Sequence, residues 1–423
     1  MDNNKFSAII NTFSTSQQDL MDIAAAVRYD IEEGLKGNTS SLKMLKSYIG
    51  LPSGQEEGKY LALDFGGTNL RVVLIELHKN GKFTILKKVA KPLKVAGNYD
   101  FVGKGSCAKD MFDFITEIID EVIEGNKNEE YFLGHTFSFP SSQTNIYNAK
   151  LITWTKEFAT SGVEGQVVND LLKESLSRYG FNNVKPIAVI NDTVAVLLAA
   201  AYKSSDTYIG SIYATGHNTC YFESYPESNS QPMIINLEIG NFYKLAVNKY
   251  DTILNNNSEL PDHQRLEKMV SGRYIGELFS YCLQDGLQLE KLPDFTSIDL
   301  STILNDNSTT LNDVKTLITN HLSIELSTEN ARLIQTLAQN IVSRSARIVA
   351  ATYCGILWHI FPNNIPRHNI VIDGSLFEKM PTVTDNMHEA LHQVLGSDSA
   401  GINLVLENGG SILGAALAAA MSK

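Results

Sequence analysis

The sequence predicts an α/β protein of two domains with a cleft between them. Two observations carry the prediction. Short β-branched apolar runs alternate with helical stretches along the chain. In addition, a strand, a glycine turn and a second strand occur together twice, at Phe65-Gly66-Gly67-Thr68-Asn69 and at Ala214-Thr215-Gly216-His217-Asn218. Each turn combines Gly with Thr and closes on Asn. Two similar halves facing each other would bring both turns onto one phosphate chain. A length of 423 residues leaves room for more than one hydrophobic core.

The elements follow in chain order. Residues 1–48 read as helical, because Phe13, Leu20, Ile23, Val27 and Ile31 recur at helical spacing. The polar stretch 51–58 is a linker. Strands are expected at 59–64 and 70–77 around the first turn, then at 83–89 and 131–138, with an amphipathic helix at 111–124. A strand at 186–190 runs into Asn191-Asp192-Thr193, and a helix rich in Ala, Val and Leu follows at 194–202. The second turn lies between strands at 208–213 and 219–223. Beyond it the chain is more helical, with long stretches at 266–282 and 330–360. In the latter, Ile334, Leu337, Ile341, Ile348 and Val349 form one inward stripe. Asn and Ser around 304–310 mark a surface loop. A strand at 369–372 precedes Asp373-Gly374-Ser375, and an alanine-rich helix follows Gly409-Gly410-Ser411.

Composition narrows the function. Hydrophobic residues make up 43% and charged residues 19%, as in an ordinary globular protein. A net charge of −12 argues against a general nucleic-acid binder. No apolar run approaches the ~20 residues of a membrane helix, so no membrane partner is expected. The start, MDNNKFSAIINTF, lacks a basic-then-apolar signal pattern. Cys107, Cys220, Cys282 and Cys354 are scattered without paired spacing and read as reduced thiols of a cytoplasmic protein.

The polar motifs point to phosphate and hydroxyl chemistry. At Asp64-Phe65-Gly66-Gly67-Thr68-Asn69-Leu70-Arg71, two glycines let backbone N–H groups approach an anion, while Thr and Asn add donors. Asp64, at the strand end, could hold a hydrated Mg2+ ion beside those phosphates. The ordinary alternative is a hairpin turn. The turn at Thr215 and Gly216 and the loop at Gly374 and Ser375 are weaker versions of the same pattern. Asp192 sits where open α/β sheets place ligands, and a carboxylate there can take a proton from an attacking hydroxyl. Its ordinary alternative is a helix cap. Ser138, Trp154-Thr155-Lys156, Glu238 and Glu267 suit a ligand with several hydroxyls, since one carboxylate can accept two hydroxyl protons.

In series, these segments resemble the hexokinases over roughly residues 20–420. LDFGGTNLRV is similar to the family's first phosphate motif, and LGHTFSFP with LITWTKEFATSGVEGQVVNDLL to its sugar-binding segment. VINDTV is similar to the catalytic motif and ATGHNTCYFE to the second phosphate motif. LEKMVSGRYIGEL, VSRSARIVAA, VIDGSLF and GGSILGAAL follow in family order. The resemblance implies an actin-like ATPase fold, related to ribonuclease H. It also implies a small domain of 59–192 plus 410–423 and a large one of 1–58 plus 193–409. The implied reaction moves the γ-phosphoryl of MgATP to the 6-hydroxyl of a hexose such as glucose, with closure of the cleft on sugar binding. Asp192 would be the base, with Lys156 beside it. Ser138, Thr155, Lys156, Asn191, Asp192, Asn218, Glu238 and Glu267 would hold the sugar. Asp64, Gly66, Gly67, Thr68, Asn69, Arg71, Thr215, Gly216, Gly374 and Ser375 would surround ATP, with Asp64 toward the metal. The chain would act as a monomer or homodimer.

Three positions depart from the family pattern: Ile239 stands where Trp is usual, Ala214 where Gly is usual, and GGSILGAA (409–416) where DGSGKGAA is usual. The first bears on sugar fit and the last on the adenine side. The first and the last lend support to one rival, a non-catalytic sugar-binding regulator on the same fold. A second rival, an ATPase that moves a protein partner, leaves the Trp154-Thr155-Lys156 segment unused.

Overall fold

The structure, a computed structural model, describes residues 2–155, 158–225 and 231–423. By contacts the chain forms two compact units, 45–210 with 220–236 and 407–423, and 1–44 with 211–219 and 237–406. The expected alternation of strands and helices is present, and the strands form two main sheets.

In the first unit a five-stranded sheet runs in the order Val184–Ile190, Tyr131–Phe137, Gly58–Phe65, Asn69–His78, Lys82–Pro92. The first three strands are parallel and the last two pair antiparallel with their neighbours. Leu61, Leu63, Phe65, Leu70, Val72 and Leu133 turn to one face, where helices Ala108–Ile123 and Val168–Arg178 complete a core. The alternate residues face the terminal helix Gly410–Ser422. At Gly134 a Cβ would stand 1.8 Å from the Ala415 carbonyl oxygen, so only glycine lets that helix approach the sheet. The helix Asp192–Lys203, expected to open the larger domain, packs on the same terminal helix and belongs to this unit. The physical reason is small-residue contact: a Cβ at Gly414 would lie 2.2 Å from the Ala195 carbonyl oxygen.

A six-stranded sheet has the order Leu45–Lys46, Met233–Asn236, His217–Glu223, Thr207–Tyr213, His368–Asp373, Ile402–Leu406. The unit boundaries at 210/211 and 219/220 fall inside Thr207–Tyr213 and His217–Glu223. The long helix Thr328–Ile360 buries the stripe Ile334, Leu337, Ile341, Ile348 and Val349, as its periodicity requires.

Two helical expectations need correction. Residues 1–48 are not one helix. Asn3–Asn11 ends before a Ser-Thr-Ser run, and Ser16 with Asp19 forms a capping box that starts Gln17–Leu35. The stretch 266–282 is likewise two helices, Arg265–Val270 and Gly272–Leu287, with Ser271 extended between them. The restart has a tertiary cause: the N–H groups of Gly272 and Arg273 donate to the carbonyls of Ala214 and Thr215 at 2.8 and 3.0 Å. The stretch 304–310 contains more than a surface loop, because Asp306 is buried and accepts N–H bonds from Ser308, Asp313 and Val314.

Three imidazoles are buried. Burial pulls His135 down to about 3, His217 to about 4 and His368 to about 4, from a usual value near 6.5. Between pH 6.5 and 4 the unfolded chain therefore takes up protons that the folded chain refuses, and stability falls with pH by up to about 1.4 kcal/mol per unit for each such residue. Neither ring nitrogen of His135 has a hydrogen-bond partner, and the ring stacks on Phe65 at 6.1 Å. His135→Phe is expected to hold its urea midpoint at pH 7.5 and to lose less stability than the parent on going to pH 5. An equal acid loss in both proteins would assign the proton uptake elsewhere.

Candidate active site

The unit with the five-stranded sheet carries three of the predicted clusters. The strand Val184–Ile190 ends at the junction, and the helix Asp192–Lys203 begins at once. Capping falls to Asn191, whose Oδ1 accepts from the Thr193 N–H at 2.9 Å and from the Thr193 hydroxyl at 2.6 Å. Asp192 is thus the first helical residue rather than the cap. Its Oδ1 accepts from the Thr193 N–H at 2.8 Å, and the side chain is half-buried. The carboxylate lies at the N-terminus of this helix.

In the first glycine turn, the Gly66 N–H donates to the Asn69 carbonyl at 3.3 Å and the Asn69 amide donates to the Thr68 hydroxyl at 3.0 Å. Gly66 is not in left-handed backbone, and a Cβ there would lie 3.4 Å from the Asn69 oxygen. No special φ is involved. Gly67 lies beside it, half-buried, and Thr68 is exposed. Asp64 and Arg71 are cross-strand partners in register, and the Arg71 Nη1 donates to Asp64 Oδ2 at 2.9 Å. Arg71, expected around the nucleotide, thus holds the neighbouring carboxylate, which is 5% exposed.

Ser138 follows the strand Tyr131–Phe137 and is half-buried, and Thr155 is exposed. Trp154 fixes the segment: its indole N–H donates to the Thr160 carbonyl and its backbone N–H to Glu164 Oε1, both at 2.8 Å. The ring lies in an aromatic cluster with Phe139 at 4.8 Å, Phe158 at 4.9 Å and Phe65 at 6.4 Å. Phe65 directly follows Asp64, so this cluster ties the Trp154 segment to the first glycine turn. Sequence reasoning grouped Trp154 with Thr155 and Lys156 and missed the cluster; Phe139 and Phe158 stand near it in the chain, but Phe65 does not. Lys156 lies outside the described residues.

The other unit gathers the remaining candidates around the second turn. The Asn218 amide donates to Glu238 Oε1 at 2.9 Å, while Asn218 Oδ1 accepts from the N–H groups of Thr219 and Ile239 at 2.7 and 3.3 Å. The His217 N–H donates to Glu267 Oε2 at 3.0 Å. Gly216 has no left-handed φ either; a Cβ there would come within 3.0 Å of that same carboxylate oxygen. Thr215 is exposed and its carbonyl accepts the Arg273 N–H. Gly374 adopts φ +140°, and a Cβ would lie 2.3 Å from the Tyr213 carbonyl oxygen, so the Gly374-Ser375 loop is seated directly on the second turn. Glu238 stands in left-handed backbone at φ 49°, unusual for a side chain of its size. Ile239 is fully buried beside it. In the last departure segment, Gly410 opens the terminal helix and Ile412 and Leu413 are buried within it.

Two family models described as hexokinase match residues 5–202 and 208–421. Hexokinase-1 of Schizosaccharomyces pombe is 33% identical over 93% of this chain and 85% of its own length. The chain belongs to the hexokinase family. It is accordingly a hexose 6-phosphotransferase that uses ATP. Among solved structures, a hexokinase crystal structure superposes with a TM-score of 0.87 at 26% identity, covering 99% of this chain and 98% of that one. The Schistosoma mansoni hexokinase complexed with glucose gives 0.81 at 27% identity and covers 99% of both chains. The two-sheet architecture is therefore the actin-like fold of hexokinases. Among the described residues no helix is long and apolar enough to cross a membrane, and all four cysteines are free.

Proposed function

We propose that this hexokinase transfers the γ-phosphoryl of MgATP to the 6-hydroxyl of glucose or a close hexose, in the cytoplasm, with Asp192 as general base. The observation that carries the reading is the division of labour at the junction. Asn191 does the capping, so the helix does not need the carboxylate at 192 as its cap. The relative from Schistosoma mansoni, which carries glucose, supports the choice of hexose.

The residues divide by task. Asn218, Glu238 and Glu267 in one unit, and Ser138, Thr155, Asn191 and Asp192 in the other, grip and orient the hydroxyls. Lys156 would join the second set. The base takes the proton from the 6-hydroxyl as its oxygen attacks the γ-phosphorus; the bond from that phosphorus to the β–γ bridging oxygen breaks, ADP leaves, and the sugar oxygen carries the phosphoryl group. Gly66, Gly67, Thr68 and Asn69, with Thr215, Gly216, Gly374 and Ser375, offer backbone and hydroxyl donors to the phosphates. Arg71 contributes by holding Asp64. Magnesium would offset phosphate charge. Asp64 fits a hydrated ion carried mainly by phosphates better than a protein-built cage, because its Oδ2 already accepts from Arg71. A hexose that engages residues of both units would favour the arrangement that lets it do so, which is the physical content of cleft closure.

The test is ADP release with glucose, mannose, fructose, glucosamine and N-acetylglucosamine, and with no sugar. Turnover with at least one hexose at ~10²-fold or more over the sugar-free rate is expected, because without an acceptor the site has nothing positioned to react. A chain acting only as a regulator would be stabilised by hexose yet release no ADP. Fast ADP release without sugar would favour the motor-like ATPase.

A further inference from the structure

We infer that His217 is a positioning residue that holds the Glu267 carboxylate and the second phosphate turn in one fixed relation; the inference rests on the reading of Glu267 as a hexose ligand. The residue lies at the end of the turn, and its two ends face different partners. Its backbone N–H donates to Glu267 Oε2 at 3.0 Å. Its ring is 3% exposed, and Nδ1 lies 3.0 Å from the Ile212 carbonyl oxygen. A carbonyl only accepts, so Nδ1 carries the proton and donates. Burial keeps the ring neutral at ordinary pH. The ring therefore ties position 217 back to position 212 across the base of the turn, alongside the Ala214 N–H bond to the Gly216 carbonyl at 3.0 Å. Fixing the ring fixes the direction of the N–H on the same residue, and that N–H holds the carboxylate.

A second brace reaches the same helix from below. The Ser345 hydroxyl donates to the Val270 carbonyl at 2.6 Å. Its single proton is then spent, so the Tyr213 hydroxyl, also at 2.6 Å, must be the donor to Ser345. Tyr213 leads into the turn, and Val270 ends the helix Arg265–Val270 that bears Glu267. Turn and helix are thus joined at both ends, once through the carboxylate and once through this hydroxyl chain. With two braces in place, loss of the imidazole should displace the carboxylate without unfolding the unit. It should weaken hexose binding more than it slows chemistry.

The test compares His217→Leu, His217→Asn and Glu267→Ala, reading glucose KM, kcat, ATP KM and the glucose-dependent melting shift. His217→Leu removes the donor to Ile212 and is expected to raise glucose KM about tenfold with kcat within about threefold, the effect of losing one well-aligned hydrogen bond. His217→Asn places an amide donor near the Nδ1 position and is expected to restore KM to within about threefold of the parent. A purely structural role would lower the melting temperature of both variants and leave glucose KM alone. Parent-like KM in His217→Leu, or equal failure of His217→Asn and His217→Leu, overturns the inference while leaving the reading of Glu267 intact. A parent-like KM in Glu267→Ala overturns both at once, since the carboxylate would then hold no hexose.

Discussion

Asp192→Asn is expected to retain hexose binding and to lose ~10²–10⁴ in kcat, the usual worth of a general base. Asn is the informative substitution because its side-chain oxygen can still accept from the Thr193 N–H, a bond Asp192 makes at 2.8 Å. Asn191 keeps the cap, so the helix start survives and a loss of rate cannot be blamed on local unfolding. Asp192→Ala should lose a similar factor, with a small further loss of stability from the missing acceptor. The check is single-turnover phosphoryl transfer beside a glucose-dependent melting shift in the same protein. Wild-type turnover in Asp192→Asn would remove the base assignment. A lost melting shift would mean that the carboxylate mainly holds sugar.

Glu238→Gly is expected to separate stability from binding. Glu238 occupies left-handed backbone at φ 49°, a conformation that costs a non-glycine residue roughly 1–2 kcal/mol. Glycine relieves that cost, so the protein without sugar should be as stable as the parent or more so. The same substitution deletes the carboxylate that meets Asn218. Losing hydrogen bonds to a charged group costs about 1.5–3 kcal/mol, which corresponds to a rise in glucose KM of roughly 10- to 150-fold. The glucose-dependent melting shift should shrink accordingly, because a ligand stabilises the folded state only as far as it binds. Glu267→Ala should abolish that shift, without a gain in stability. An unchanged glucose-dependent shift in Glu238→Gly would reduce Glu238 to a structural residue. A less stable protein would mean that the carboxylate's contacts outweigh the backbone strain.

The two expectations differ in origin. Asp192 could be chosen from sequence, because a strand period ending in Ile190-Asn191-Asp192 and an Ala-rich helix beginning at once are local patterns. The energetic oddity of Glu238 could not, because nothing in Asn236-Leu237-Glu238-Ile239 announces a positive φ.

By itself the sequence determined the alternation of elements, the two glycine turns, the strand-to-helix junction at Asn191-Asp192 and the family. All of these depend on residues close together in the chain, whose period or turn chemistry is set by neighbours. The tertiary structure alone decided what those residues touch. It broke 266–282 into two helices at Ser271, because the restart donates N–H groups to a turn more than fifty residues earlier in the chain. It gave Arg71 to Asp64, and it placed Trp154 in an aromatic cluster with Phe65. It set Gly216 close against the Glu267 carboxylate and made Gly134 a requirement of the terminal helix. A side chain's period shows which way it faces, but which group comes back to meet it depends on how distant elements pack.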